Sequence, residues 1–463
     1  MKKVRKSLVA TLTALAMTVV ISACSNDSPT TEESSDPATS SAGEETTAGD
    51  DTESGTEDAE TGEQTTITVW AWEPTLEDVV PAFEAANPDI KVDLQNVGGA
   101  GDTYTKLDNA IAAGSGGPDI SQVEYYAVAQ YALPEYLADL TEFGADALAD
   151  TFTPGTWNAV TMSNSGSVYG LPVDSGPMAL FYNKDTFDEA GVSEPPATWD
   201  EFYEAAQKVR ALGENYYITS DNGDAGLATS MMWLAGGHPF EVGSDSIAID
   251  LGDAGVTSFA EFWQKMIDED LINTTVGSWS DDWFKGLGDG TLASLMTGAW
   301  MPANLIGSAP EASGNFRVAA MPVPEAGSSA NSENGGSSLA ILASSENREA
   351  AYRFLEFTSA GEGAPIRIAG GNFPSRTADL EDADFLAYTD DYFGGQAYNE
   401  ILGQAAADVL PGWSYLPFQV YANSVFGDKM AGPFSGSGTL TDAYASWQED
   451  LVAYGNENGF NVQ

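Results

Sequence analysis

The spacing of apolar positions changes from strand-like to helix-like most clearly between residues 170 and 212. Met178 to Tyr182 reads as a strand, followed by a polar turn at Asn183–Asp185 and a short helical piece ending at Gly191. Pro195 and Pro196 break the chain, and a new helix begins at Thr198. Glu201 stands three residues later, the capping-box spacing in which each side chain satisfies the other's free backbone N–H. Trp199, Phe202, Ala206, Val209 and Leu212 then recur at helical spacing, so 199–212 carries one apolar face.

Upstream, Thr66–Trp72 (TITVWAW) alternates and then becomes apolar, the pattern of a strand entering a buried sheet. Thr75 to Ala86 predicts a helix with Leu76, Val79, Val80 and Phe83 on one face; Pro81 inside it predicts a kink or a late start. Ile90, Val92 and Leu94 alternate as a second strand after Asn87-Pro88. A helix from Thr103 to Ala113 then leads through glycines to Gly117-Pro118-Asp119-Ile120. Strands alternating with helices predict a parallel α/β sheet. Downstream, a helix is expected around 257–269, 316–324 (FRVAAMPVP) reads as a strand, and the Gly/Ser/Asn run 325–338 reads as a flexible connection. The stretch 65–463 exceeds what one hydrophobic core supports, so two lobes are expected.

At 170–202 the residues carry a resemblance. GPMALFYNKDTFDEAGV followed by PPATWDEF resembles the lobe-crossing segment of family 1 extracellular solute-binding proteins, the receptors that feed sugars to ABC importers. The order TITVWAWEP, helix, NPDIKVDL, helix, GGPDI is similar to the amino-terminal lobe of the same family. The likeness extends over nearly all of 65–463, strongest at 66–120, 170–202, 292–324 and 335–376. It implies an α/β, two-lobed periplasmic-binding-protein-like fold of type II, each lobe a mostly parallel sheet flanked by helices, with three hinge crossings. The implied division is 65–178 for lobe 1, 179–324 for lobe 2, 325–382 for the return to lobe 1, and 383–463 for the C-terminal helices of lobe 2.

The beginning of the chain reads as targeting rather than fold. Lys2, Lys3, Arg5 and Lys6 precede an apolar run at 8–21, short of the roughly 20 residues a permanent membrane helix needs. Ile21-Ser22-Ala23-Cys24 is similar to the bacterial lipobox, which implies a signal peptide at 1–23 and a lipidated Cys24 as the mature N-terminus. Cys24 is the single cysteine of the chain, so no internal disulfide exists. Residues 25–64 hold 13 acidic residues, no basic one and no large apolar one, a composition that predicts disorder. With Cys24, 24–64 reads as a tether holding the domain off the extracytoplasmic face of a membrane.

Charge and composition narrow the chemistry. Seventy acidic residues against 17 basic give a formal net charge of −53, repelling nucleic acid and anionic lipid headgroups and suiting a neutral ligand better than an anionic one. One histidine, His238, leaves room for at most one histidine-dependent site, and no Cys/His cluster, Walker-type lysine loop or dinucleotide fingerprint is present. No enzyme activity, cofactor or metal is therefore expected, although at this acid content chance carboxylate pairs leave a glycoside hydrolase open, and a calcium ion too in spite of the missing EF-hand spacing.

The informative residues are the 11 tryptophans. A sugar site needs aromatic plates for flat C–H faces and a few carboxylates or amides for hydroxyls. Trp199, Trp263 and Trp447, on amphipathic helices, are expected in the core, and Trp70 inside a strand. Candidates for ligand contact sit at strand ends beside turns: Trp72 and Glu73 after the first strand, Glu124 and Tyr125, Asp174, Trp233 before Gly236-Gly237, and Asn372 in the GGNFPSR turn. By resemblance, Trp300 matches the tryptophan that maltose-binding members stack on sugar, and Trp413, with Tyr415 nearby, falls where members place another stacking aromatic. Trp279, Asp281, Asp282 and Trp283 form an acidic aromatic patch suited to a cleft rim or to covering a helix start. The sequence thus reads as a monomeric, lipid-anchored receptor delivering an oligosaccharide of two or more units to the transmembrane subunits of an ABC permease. The alternatives are a peptide or polyamine receptor of the same fold, and a secreted glycoside hydrolase or adhesin.

Overall fold

The computed structural model describes residues 64–162, 165–243 and 245–463; the expectations for the leader, Cys24 and the acidic tether lie outside them. The first lobe is laid down as β1 (Thr65–Trp70), α1 (Leu76–Ala86), β2 (Ile90–Gln95), α2 (Ala100–Ala113) and β3 (Ile120–Glu124). β1 lies parallel to both β2 and β3, and Ile67, Val69, Ile120 and Val123 pack with Leu76, Val79 and Phe83 of α1. α1 begins at Leu76 despite Pro81 within it. Its first turn closes through i→i−3 bonds (Leu76 N–H to Glu73 O, Glu77 to Pro74, Asp78 to Thr75), and the proline forfeits one later backbone bond.

After β4 (Leu171–Pro172) the chain crosses and enters β5 (Met178–Asn183). α3 (Trp199–Arg210) follows, with Thr198 Oγ accepting from Glu201 N–H at 3.2 Å. The capping box is modified on its return side, because the Glu201 carboxylate accepts from Ala197 N–H at 2.7 Å. α4 (Ala225–Leu234), α5 (Ala254–Asp268), β6 (Ser294–Gly298), α6 (Met301–Ser308) and β7 (Phe316–Ala319) continue the second lobe. The chain then crosses back to β8 (Ser337–Ile341), which enters the first sheet antiparallel to β3 and β4. The first sheet runs β2-β1-β3-β8-β4.

The main sheet of the second lobe departs from the mostly parallel one expected. β5 sits between β6 and β7 and is antiparallel to both. The cause is topological: β6, α6 and β7 form a parallel crossover that skips one position, and β5, arriving from the first lobe, fills it running the other way. The uninterrupted apolar run of β5 has a direct reason. Met178 and Leu180 face a cluster holding Trp199, Trp263 and Trp447, while Ala179 and Phe181 face a second cluster on the opposite side with Trp283 and Phe316. The three core tryptophans are 5 %, 1 % and 0 % exposed, as expected of them. Trp70 is only partly buried, its indole N–H donating to Gln95 on the outer face of the sheet.

The run 325–338 is not a free linker. Its end lies against the first crossing: Met178 N–H donates to Ser332 O, Asn334 N–H to Gly176 O, and Val173 N–H to Ser337 O. Asn331, Ser332 and Glu333 are buried. Glycine is required where the two strands touch. A Cβ on Gly336 (φ +94°) would stand 2.6 Å from the Tyr125 ring, and one on Gly176 would stand 2.4 Å from Asn334 O. A third passage follows, with Arg376 bridged to Phe152 and Ser375 bonded to Pro172 O, while Phe373 packs with Phe385 in the second lobe. Helices Gln419–Phe434 and Leu440–Glu457 complete that lobe.

Candidate functional site

Strand ends and the crossings converge on one strip of rings. Trp72, just past β1, meets Tyr104 of α2 edge-on at 6.3 Å, and Tyr104 meets Tyr126 at 6.2 Å. Tyr126 meets Tyr415, which packs on the first-lobe core, at 6.4 Å; Tyr415 meets Trp413 of the second-lobe core at 6.2 Å, and Trp413 stacks on Trp233 of α4 at 5.2 Å with planes 9° apart. Six rings thus run without a break from one lobe to the other. Trp233 is fixed by its indole N–H donating to Leu410 O at 2.8 Å. The Trp413 indole N–H is buried and has no acceptor.

Beside this strip stand carboxylates. Glu124 ends β3, its backbone N–H donating to the Tyr104 hydroxyl at 2.9 Å. It keeps a water-touching face, yet burial lifts its pKa to about 7; the Tyr126 hydroxyl opposes that rise, and the negative charges of Asp174 and Asp224 add to it. Asp174 and Glu333 lie on the paired crossings. Asp174 Oδ1 accepts from the Ser337 N–H and hydroxyl, and Glu333 Oε1 from the Ser175 hydroxyl at 3.2 Å. Burial raises them to about 6 and about 7 respectively. Beneath them Arg367, 2 % exposed, donates to Val173 O, Thr358 O and Asn372 Oδ1. Among the described residues, no group of three or more His, Cys, Asp or Glu is placed to hold a metal ion.

Of the ten sequence candidates, Trp72, Glu124, Trp233, Trp413 and Tyr415 are brought together at this strip. Trp300 lies apart from it, its indole N–H donating to Asn334 O at 2.7 Å and its face stacked on Trp279 at 5.6 Å. The other four turn their polar atoms inward. Glu73 accepts from the Thr75 hydroxyl at 2.5 Å at the start of α1. The Tyr125 hydroxyl donates to Asp174 O at 2.6 Å, Asp174 is held by Ser337, and Asn372 accepts from Arg367 while lining a cavity of about 150 Å³ with Pro302, Tyr388 and Tyr398. Sequence reasoning missed Tyr104, Tyr126 and Glu333. The available signal for Tyr126 was a second tyrosine at a strand end. For Glu333 it was one of only two acids in a run otherwise small and neutral.

The raised carboxylates give a pH prediction. In the unfolded chain these groups ionise freely above roughly pH 4.5. In the folded chain they hold protons up to about pH 6–7, so between these limits the native state binds more protons than the unfolded one. Stability therefore increases as pH falls from 8 towards 5. Glu333→Gln keeps an acceptor for Ser175 and removes the ionisation. Its unfolding free energy should exceed that of the parent by on the order of 1–3 kcal/mol at pH 8 and match it near pH 5. Equal stabilities of variant and parent at pH 8 in urea titrations would contradict this.

Comparison with known proteins places the fold. A family model described as bacterial extracellular solute-binding protein matches residues 71–365. The ABC transporter associated binding protein from B. animalis subsp. lactis Bl-04, solved in complex with β-1,6-galactobiose, is 50 % identical, with a TM-score of 0.82 over 86 % of this chain and 100 % of that one. The galacto-N-biose-/lacto-N-biose I-binding protein of Bifidobacterium longum, in complex with lacto-N-biose, is 26 % identical with a TM-score of 0.75, over 87 % of this chain and 100 % of that one. A lactose-binding protein of Rhizobium radiobacter is 28 % identical over 347 residues, 71 % of this chain and 79 % of the relative.

Proposed function

The chain belongs to the bacterial extracellular solute-binding proteins, and from that membership we propose that it captures a short, neutral, galactose-containing oligosaccharide for an ABC importer. The observation that carries this reading is the strip of six rings crossing from lobe to lobe beside half-buried Glu124. Aromatic plates take the C–H faces of pyranose rings, and a carboxylate beside them takes hydroxyl protons. Of the residues assembled here only Arg367 is cationic, and it is committed beneath the floor, which disfavours uronic acids and sugar phosphates. Trp72, Glu124, Trp233, Trp413 and Tyr415 are the residues we assign to the ligand.

Because the strip draws rings from both lobes, a sugar lying along it completes its contacts only when the lobes are closed, and closure is the state a permease reads. No chemical step is assigned to this chain, which acts as a monomer, held outside the cytoplasmic membrane through an acylated Cys24.

The test is calorimetric titration and thermal unfolding of the purified chain against β-1,6-galactobiose, lactose and lacto-N-biose, with spermidine and a tripeptide as controls. A sugar present at about 100 times its dissociation constant should add roughly 2.7 kcal/mol to stability. A response to spermidine or peptide alone would sink the sugar reading, and cleaved product on chromatography would sink the assignment as a receptor without chemistry.

A further inference from the structure

Trp279 is used by nothing described so far. It stands in the loop before the helix Asp281–Asp289 and is 52 % exposed. Its backbone is left-handed at φ +68°, a conformation that costs a bulky residue strain and is retained where surroundings enforce it. One face stacks on Trp300 at 5.6 Å with planes 22° apart, and Trp283 and Phe284 buttress it at 5.7 and 6.0 Å. A residue serving only as a cover for Trp300 would bury itself, whereas more than half of this indole remains in water. It overlooks a concavity of about 660 Å³ on the second lobe, whose lining includes Phe284, Asp281, Asp289, Lys285, Ser308 and Glu311. Two aromatic surfaces beside carboxylates, an ammonium and a hydroxyl are the groups that hold a pyranose. Trp279, which lines the concavity, is tied to the returning crossing through Trp300, whose indole N–H donates to Asn334 O.

We propose that this concavity receives the outer units of an oligosaccharide whose first units occupy the cleft, so that Trp279 makes the protein discriminate by chain length. The inference rests on the oligosaccharide reading above and adds to it a second station on the lobe surface. It is tested by calorimetric titration of the full chain with a β-1,6-linked galactose series of two, three and four units. The unaltered chain should bind the longer members more tightly than the disaccharide. Trp279→Ala should lose roughly tenfold in affinity for the tetrasaccharide and hold the disaccharide within about threefold. Ser308→Tyr, which puts a ring into the concavity from the end of α6, should show the same selective loss. Circular dichroism melts confirm that both variants fold. An equal loss at every length would make Trp279 a support for Trp300 and overturn the proposal, as would no loss at any length. Failure of the unaltered chain to bind any member would overturn the oligosaccharide reading and this inference with it, and that result is visible before any variant is made.

Discussion

Replacing Arg367 with methionine should lower the unfolding free energy by about 3–5 kcal/mol, a midpoint drop of roughly 5 °C for a unit of this size. The guanidinium is 2 % exposed and serves three oxygens from different segments: Val173 O in the first crossing, Thr358 O at the end of its preceding helix, and Asn372 Oδ1 at the third crossing. It is also the positive charge set among Glu73, Asp174 and the Tyr125 hydroxyl. Methionine matches much of its length and apolar stem but leaves the carbonyls unpaired and Asp174 without its nearest cation. The cost is that of buried groups losing partners rather than of one ion pair. Arg367→Lys should recover little, because one ammonium cannot reach oxygens set around a planar fork. Urea unfolding decides it: a loss under 1 kcal/mol for the methionine variant would show that water takes over the guanidinium's role.

Trp413→Ala should weaken sugar binding about 100-fold while moving the melting midpoint far less than Arg367→Met. Trp413 is the ring that joins Trp233 to the rest of the strip, stacked on Trp233, edge-on to Tyr415 and 6.0 Å from Phe240. Removing it cuts Trp233 off from the strip and takes away an indole N–H that has no partner within the protein. It is half-buried on a segment without regular structure, so truncation there leaves the sheets and helices of the lobe intact. Titration with the best sugar of the panel is the measurement. Affinity within threefold of the parent would remove Trp413 from the site and force the ligand towards Trp300.

Much of this architecture was legible in the chain. The period-2 and period-3.6 segments placed β1, β2 and α3 because each buries its apolar positions on the faces the pattern specifies, and the continuous apolar run of β5 marked a strand buried on both faces. The crossings were harder. The 325–338 run is small and polar, the composition of a linker, yet Ser332, Glu333 and Ser337 are buried because the neighbouring crossing satisfies their hydrogen-bonding groups. A composition read along one strand cannot show the partner strand lying beside it. Strand direction in the second lobe failed for a similar reason, since β5 owes its orientation to where the chain came from and nothing in MALFYN encodes that. The site was half legible. A strand-end aromatic pointed to Trp72 and the family resemblance to Trp413; Trp233 was marked by its neighbouring glycine turn although it lies in α4 and not at a strand end, and Tyr104, inside a helix, reaches the strip only through tertiary packing.

The place of β8 in the first sheet has a consequence for how the molecule comes into being. β8 sits between β3 and β4, and Gln122 of β3 bonds to Ser337, 215 positions later in the chain. A chain emerging from its N-terminus can assemble β1, β2 and β3 early, but that half-sheet keeps an open edge until the second-lobe stretch from β5 to β7 has followed. The first lobe therefore closes late, through contacts of very high sequence separation, and its completion should set the slow phase of folding. Slow closure leaves an unpaired edge exposed to association with other chains in the meantime. It also keeps the polypeptide loose enough to be threaded through a translocation pore before it locks.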